Sequence, residues 1–179
     1  LSGFALLVSY LGQMIPQITP LMPVLVSPWL SIHVSVIMMS YALLAFIMLN
    51  GILALCLRKK ESENNVSGND AIQDNRIEQL TLVSRLLLYP ATFFLGAGIF
   101  LGAVWANVSW GRYWAWDPKE VWALITFLVY GVAFHSQSLR IFRKPLFFHI
   151  YMILAFLTVL MTYFGVNYVL GGMHSYANA

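Results

Sequence analysis

The sequence predicts an all-α, polytopic transmembrane helical bundle on three observations. Of its 179 residues, 60% are hydrophobic and only 9% carry charge, against about 25% charged in a soluble domain. Several apolar stretches reach the roughly 20 residues that a helix needs to cross a hydrocarbon core about 30 Å thick. These stretches are apolar throughout rather than alternating, which argues against the strands of a membrane barrel.

Taken in order, the elements are four complete spans plus one partial N-terminal span. Residues 1–15 form the partial span. The chain opens at Leu1 on an apolar run already under way, without an initiating methionine or a signal-peptide layout, so earlier helices are expected upstream. Residues 16–30 contain Pro16, Pro20, Pro23 and Pro28 but no charge, which suits a connection lying in the membrane interface. Ser27 is placed to cap the next helix and Pro28 to be its first residue. The span 31–57 follows. Residues 58–85 are expected to form a cytoplasmic loop, of which 58–79, rich in Glu, Asp, Asn and Ser, reads as solvated and mobile with no site of its own. The span 86–106, a tryptophan-rich connection at 107–120, the span 121–139, a short basic loop at 140–145, the span 146–170 and a tail at 171–179 complete the chain.

Orientation follows from the basic residues, which accumulate on the cytoplasmic side of spanning helices. Arg58, Lys59, Lys60, Arg76, Arg85, Arg140, Arg143 and Lys144 flank two connections and are eight of the ten Lys and Arg residues. Only Arg112 and Lys119 lie in the connection between them, so 107–120 is assigned to the opposite, outer face. By alternation His33 and His174, far apart in sequence, both arrive at that boundary. Cys56 is the one cysteine. With no CxxC pair the chain cannot run thiol–disulfide exchange through paired cysteines, and with no CxxCH it is not itself a c-type cytochrome. Cys56 is expected simply to pack. Membrane lipid is an expected partner and nucleic acid is not.

The run Trp110 to Trp122 holds Trp110, Trp114, Trp116 and Trp122, four of the six tryptophans, with Trp105 just before it. An aromatic belt at the headgroup level would account for some of them. Trp, Tyr, Trp and Trp within seven residues of Gly111 fit a flat apolar ligand with anionic ends better. The indoles and Tyr113 offer stacking area, and Arg112 and Lys119 can pair with carboxylates. Asp117 also reads as an N-cap, with Pro118 at the first helical position and Glu120 at the third, so Asp117 is either architectural or a ligand contact.

Two imidazoles can fill both axial positions of a six-coordinate haem, and His33 and His174 beside the tryptophan shelf are placed for that role. Gly171 and Gly172 would let the chain turn back ahead of His174. His135 lies 16 residues beyond Lys119, about 24 Å deeper along a helix, and cannot serve the outer site. An ionisable side chain at that depth is itself a functional candidate. His149, just past Pro145, lies at similar depth and is read as structural. No Ser–His–Asp arrangement or carboxylate pair is evident, so any chemistry here rests on positioning.

The segment Trp116-Asp117-Pro118-Lys119-Glu120 followed by Val121-Trp122-Ala123-Leu124-Ile125 resembles the tryptophan-rich "WWD" signature of the System II cytochrome c synthases (haem lyases), the CcsA or fused CcsBA type. Ile32-His33-Val34, Phe134-His135 and Gly171-Gly172-Met173-His174 resemble that family in order and placement. The resemblance implies haem b as substrate and cofactor, His33 and His174 as outer iron ligands, and His135 as one of two transmembrane histidines that bind haem on its way out. The other would lie upstream. It also implies a bacterial inner or thylakoid membrane with the active site on the outer side. Expected partners are an apocytochrome c carrying CxxCH, a CcsB-type partner or fused N-terminal region, and a thiol-reducing protein. The rival readings are a haem exporter that passes haem to another carrier and a b-type electron-transfer cytochrome.

Overall fold

The computed structural model describes residues 28–64, 70–135 and 138–170. They form four helices: α1 (Pro28–Asn64), α2 (Asp70–Trp110), α3 (Pro118–Val132) and α4 (Pro145–Leu160). A 3₁₀ turn, Ala133–His135, extends α3; a second, Arg140–Arg143, precedes α4; and α4 continues as a π-helix over Met161–Leu170. Among the described residues there is no strand. Among the described residues, three segments are long and apolar enough to cross a membrane: Pro28–Lys59, Asp74–Trp110 and Pro145–Tyr168. The architecture is all-α and polytopic. The expected span 121–139 is realised as the 15-residue α3 and its 3₁₀ turn. At 1.5 Å per residue α3 is about 22 Å long, short of the roughly 30 Å core. The partial span 1–15, the proline connection up to Ser27 and the tail from Gly171 lie outside the described residues.

The expected loop 58–85 is corrected. Residues 58–64 continue α1 and residues 70–85 belong to α2. Composition misled because Glu, Lys, Arg and Gln, which signal solvent, are also strong helix formers, and neither segment contains Gly or Pro to stop the helix. Nor is 58–85 without structural purpose, since Thr81 and Ser84 are buried. Cys56 is a second correction: it is exposed on α1 rather than packed.

The helix pair α1/α2 is antiparallel, because His33 and Ile37 meet Gly98 and Gly102 while Asn50 meets Ser84. Its seam has a spacing of threes and fours. On α1 it runs through His33, Ile37, Ser40, Leu44, Ile47 and Asn50; on α2 through Ser84, Leu88, Ala91, Leu95, Gly98 and Gly102. This 3.5-residue period keeps one face of each helix turned to the other over a long contact. Lipid is as apolar as leucine, so close packing and interhelical hydrogen bonds must hold such a pair together. Both are present. Ser40 Oγ donates to the Ala91 carbonyl at 2.8 Å, and Asn50 Nδ2 donates to Ser84 Oγ at 3.3 Å. Gly98 and Gly102 form a GxxxG step, and a Cβ on Gly98 would stand 2.4 Å from Ile37 Cδ1.

Helix α4 packs into this pair at the end carrying Arg85, the basic end. A Cβ on Gly51 would lie 3.2 Å from the His149 carbonyl oxygen, so α1 and α4 touch backbone to backbone there. The Arg85 guanidinium lies 5.1 Å from the centre of the Phe148 ring, and its Nη2 donates to the Phe142 carbonyl at 2.6 Å, tying down the Arg140–Arg143 turn. Tyr151 Oη donates to the Val129 carbonyl at 2.7 Å and joins α4 to α3.

Candidate functional site

At the opposite end the chain turns from α2 into α3 through residues 111–117. Gly111 ends α2 in the left-handed region, φ +72°, and its N–H donates to the Asn107 carbonyl at 2.9 Å. Trp116 also has positive φ, +59°, a conformation that costs a bulky residue energy. Asp117 then caps α3. Its Oδ2 accepts from Lys119 N–H at 3.2 Å, Glu120 Oε2 accepts from Asp117 N–H at 3.2 Å and from Ala115 N–H at 2.8 Å, and Pro118 opens the helix. This is the capping box the sequence suggested. The Asp117 side chain is buried and caps the helix, the architectural one of its two expected roles. Replacing Asp117 by Ala is therefore expected to cost about 1 kcal/mol of stability. A lower Tm with an unchanged haem spectrum would mark a cap; direct ligand contact would show in both measurements.

Beneath this turn lies a cavity of about 210 Å³. His33, Ile37 and Tyr41 of α1 line one side, Gly102 and Trp105 of α2 another, and Tyr113, Trp114, Lys119 and Glu120 close it from the turn; Thr162 and Tyr163 come from the π-helix. His33 is half-buried, and its Nδ1 lies 2.8 Å from the Gly98 carbonyl oxygen. A carbonyl can only accept, so Nδ1 is the donor. Gly102 makes room for the ring: a Cβ there would stand 2.7 Å from His33 Cε1. Trp105, 2% exposed, meets Trp110 edge to face at 4.9 Å. Lys119 Nζ donates to Asn167 Oδ1 at 3.0 Å. Burial pulls the Lys119 ammonium below the ordinary lysine range, an effect that neighbouring Asp117 opposes.

Of the residues singled out from sequence, the structure gathers His33, Trp105, Tyr113, Trp114 and Lys119 around one cavity. Trp110 backs Trp105 without lining it. Trp116, 74% exposed, stands over the rim and meets Trp114 edge to face at 5.9 Å. Arg112 is exposed, Trp122 is half-buried on α3, and neither lines the cavity. His174 lies outside the described residues. His135 is exposed on its 3₁₀ turn beyond the end of α3, away from this cavity. His149 is 1% exposed in the core. Thr81 Oγ1 donates its one proton to the Ile77 carbonyl at 2.7 Å, so His149 Nε2–H donates to Thr81 Oγ1 at 2.9 Å.

Sequence reasoning missed Gly98, Gly102, Tyr41, Thr162 and Asn167. For the glycines a signal was present: GxxxG inside an apolar run marks close helix approach. For Asn167 the signal was a carboxamide inside a span, which needs a partner.

A family model described as cytochrome C assembly protein matches residues 1–174. The protein NrfI of Wolinella succinogenes is 41% identical over 177 residues, 99% of this chain and 19% of that protein. Cytochrome c biogenesis protein CcsA of Chlamydomonas reinhardtii is 41% identical over 162 residues, 89% of this chain and 44% of that one. CcsA of Prochlorococcus marinus strain NATL1A is 35% identical over 200 residues, 97% of this chain and 62% of that one. The chain thus spans from about a fifth to about three-fifths of these relatives. The chain belongs to the cytochrome c assembly protein family, as a CcsA-type member of System II.

Proposed function

We propose that this site holds haem at the outer face of an energy-conserving membrane, and that the full-length protein joins that haem covalently to the CxxCH segment of apocytochrome c. One observation carries the reading: the His33 ring is held at the cavity wall by its Nδ1–H bond to the Gly98 carbonyl. A metal-binding imidazole is characteristically fixed in this way, by donating its other N–H to a backbone carbonyl. The surrounding residues also suit haem b as substrate. Indoles offer flat apolar area, and Lys119 offers a cation for a propionate. The cavity of about 210 Å³ is smaller than the roughly 300–1,000 Å³ of a pocket enclosing a drug-sized ligand, so it takes part of a porphyrin rather than the whole ring.

In this proposal His174 supplies the second axial imidazole. Tyr113 and Trp114 orient the ring plane, while Arg112, Trp110, Trp116 and Trp122 shape the rim and support behind them. His135, at the basic end, holds haem on its way from the cytoplasm with a second histidine from a CcsB-type partner or fused N-terminal region. A thiol-reducing protein keeps the CxxCH cysteines as thiols. Each thiol S–H then adds across a haem vinyl, sulfur to one carbon and hydrogen to the other, with no net redox change. The protein contributes proximity, which for well-oriented groups is worth several kcal/mol of barrier, roughly 7–11 at best. Its relatives' names, protein NrfI aside, point to cytochrome c biogenesis.

The test is product formation. Haem-loaded full-length protein, incubated with dithiothreitol and a CxxCH peptide, should yield peptide heavier by one haem on mass spectrometry, and a peptide with both cysteines replaced by serine should yield none. Haem passed to the peptide without a thioether bond would show an exporter and defeat the synthase reading.

A further inference from the structure

The π-helix Met161–Leu170 is the least expected element of the fold, and π segments concentrate at functional sites. Its bonding advances each residue by roughly 80°, against about 100° in an α-helix. From Met161 to Asn167 the two windings therefore differ by about a third of a turn, and in the π winding Asn167 meets Lys119. The Asn167 carboxamide is held at both ends. Its Nδ2 donates to the Tyr163 carbonyl at 2.7 Å, which turns Oδ1 to Lys119 Nζ at 3.0 Å. Lys119 and Tyr163 both line the cavity. An amide oxygen fixes the ammonium by a hydrogen bond without cancelling its charge, as an aspartate at the same position would.

We propose that Asn167 is a positioning residue that aims the Lys119 ammonium at a carboxylate of the cavity's ligand, so that the site selects a porphyrin with a free propionate over its ester. This rests on the haem-holding reading and adds to it the part of the substrate that is recognised. Arg112, the other cation of the tryptophan segment, does not line the cavity, so selection falls to Lys119.

The experiment compares binding of haem and haem dimethyl ester to full-length protein in detergent at low salt, by titration of the haem absorbance. Wild type should prefer the free acid by at least about tenfold, the worth of one charge-assisted hydrogen bond. Asn167→Leu should bring that preference below about threefold by weakening the free acid alone, matching Lys119→Met. Asn167→Asp, which sets a competing carboxylate on the ammonium, should abolish it. Ester binding doubles as a folding control, because a collapsed variant would lose both ligands. Equal binding of the two probes to wild type, or an undiminished preference in Asn167→Leu, overturns the proposal while leaving haem binding intact. Failure of wild type to bind either probe overturns the haem reading and this inference with it.

Discussion

Under the proposed function, replacing His33 by glycine is expected to empty the cavity of haem and make it refillable in the presence of free imidazole. The substitution removes the ring whose Nδ1 is bonded to Gly98 and leaves an imidazole-sized gap against Gly102. Loss of an orienting partner around a metal ligand typically costs 10–100-fold in affinity, and loss of the ligand should cost at least as much, about tenfold or more in retained haem. Added imidazole should enter the gap, donate to the Gly98 carbonyl and restore the spectrum, because both the carbonyl and the space remain. The measurement is haem content and absorbance of purified full-length protein with and without imidazole. An unchanged spectrum in the variant would show that His33 is a packing residue.

The second large effect is expected at a residue with no functional group. Gly102→Ala places a Cβ within 2.7 Å of His33 Cε1, so the ring must move. Overpacking of this kind costs about 1–3 kcal/mol, while alanine regains about 1 kcal/mol of helix propensity. Stability therefore falls only slightly. The hydrogen bond to Gly98 is nevertheless broken and Nε2 is turned away, so haem retention should fall about tenfold or more. Imidazole should not rescue it, because the gap is closed by His33 itself. In a His33→Gly background the same substitution should do little more, since the two act on one contact. Equal haem content in Gly102→Ala and wild type, at equal Tm, would show that the glycine matters only to helix packing.

The two residues mark the line between what could and could not be read from sequence. His33 was legible as a candidate because it and His174 were both expected at the boundary that carries the tryptophan run. Trp105, Tyr113, Trp114 and Lys119 were legible as a cluster, and Asp117-Pro118-Lys119-Glu120 as a capped helix start. The seam was not. In a soluble helix the buried stripe stands out against a polar face, but in a membrane both faces are apolar, and the contrast that reveals periodicity disappears. The positions His33, Ile37, Ser40 and Leu44 are a regular series only once Ser40 and the Gly98–Gly102 pair are read as contact residues. The stretch 58–85 failed for the opposite reason: its polar composition suggested a loop and said nothing against helix. The π winding that brings Asn167 to Lys119 has no local propensity signal, being set by what the end of α4 packs against.

The hydrogen bonds along the α1/α2 seam, Ser40 to Ala91 and Asn50 to Ser84, work as detents. Knobs seated in holes resist sliding, and a full step of one helix along the other would carry every side chain to the next notch, about 5.4 Å away. The height of the imidazole at the far end of the rail is thus held by contacts spread along its length, at Ser40 and Asn50 as well as at Gly98.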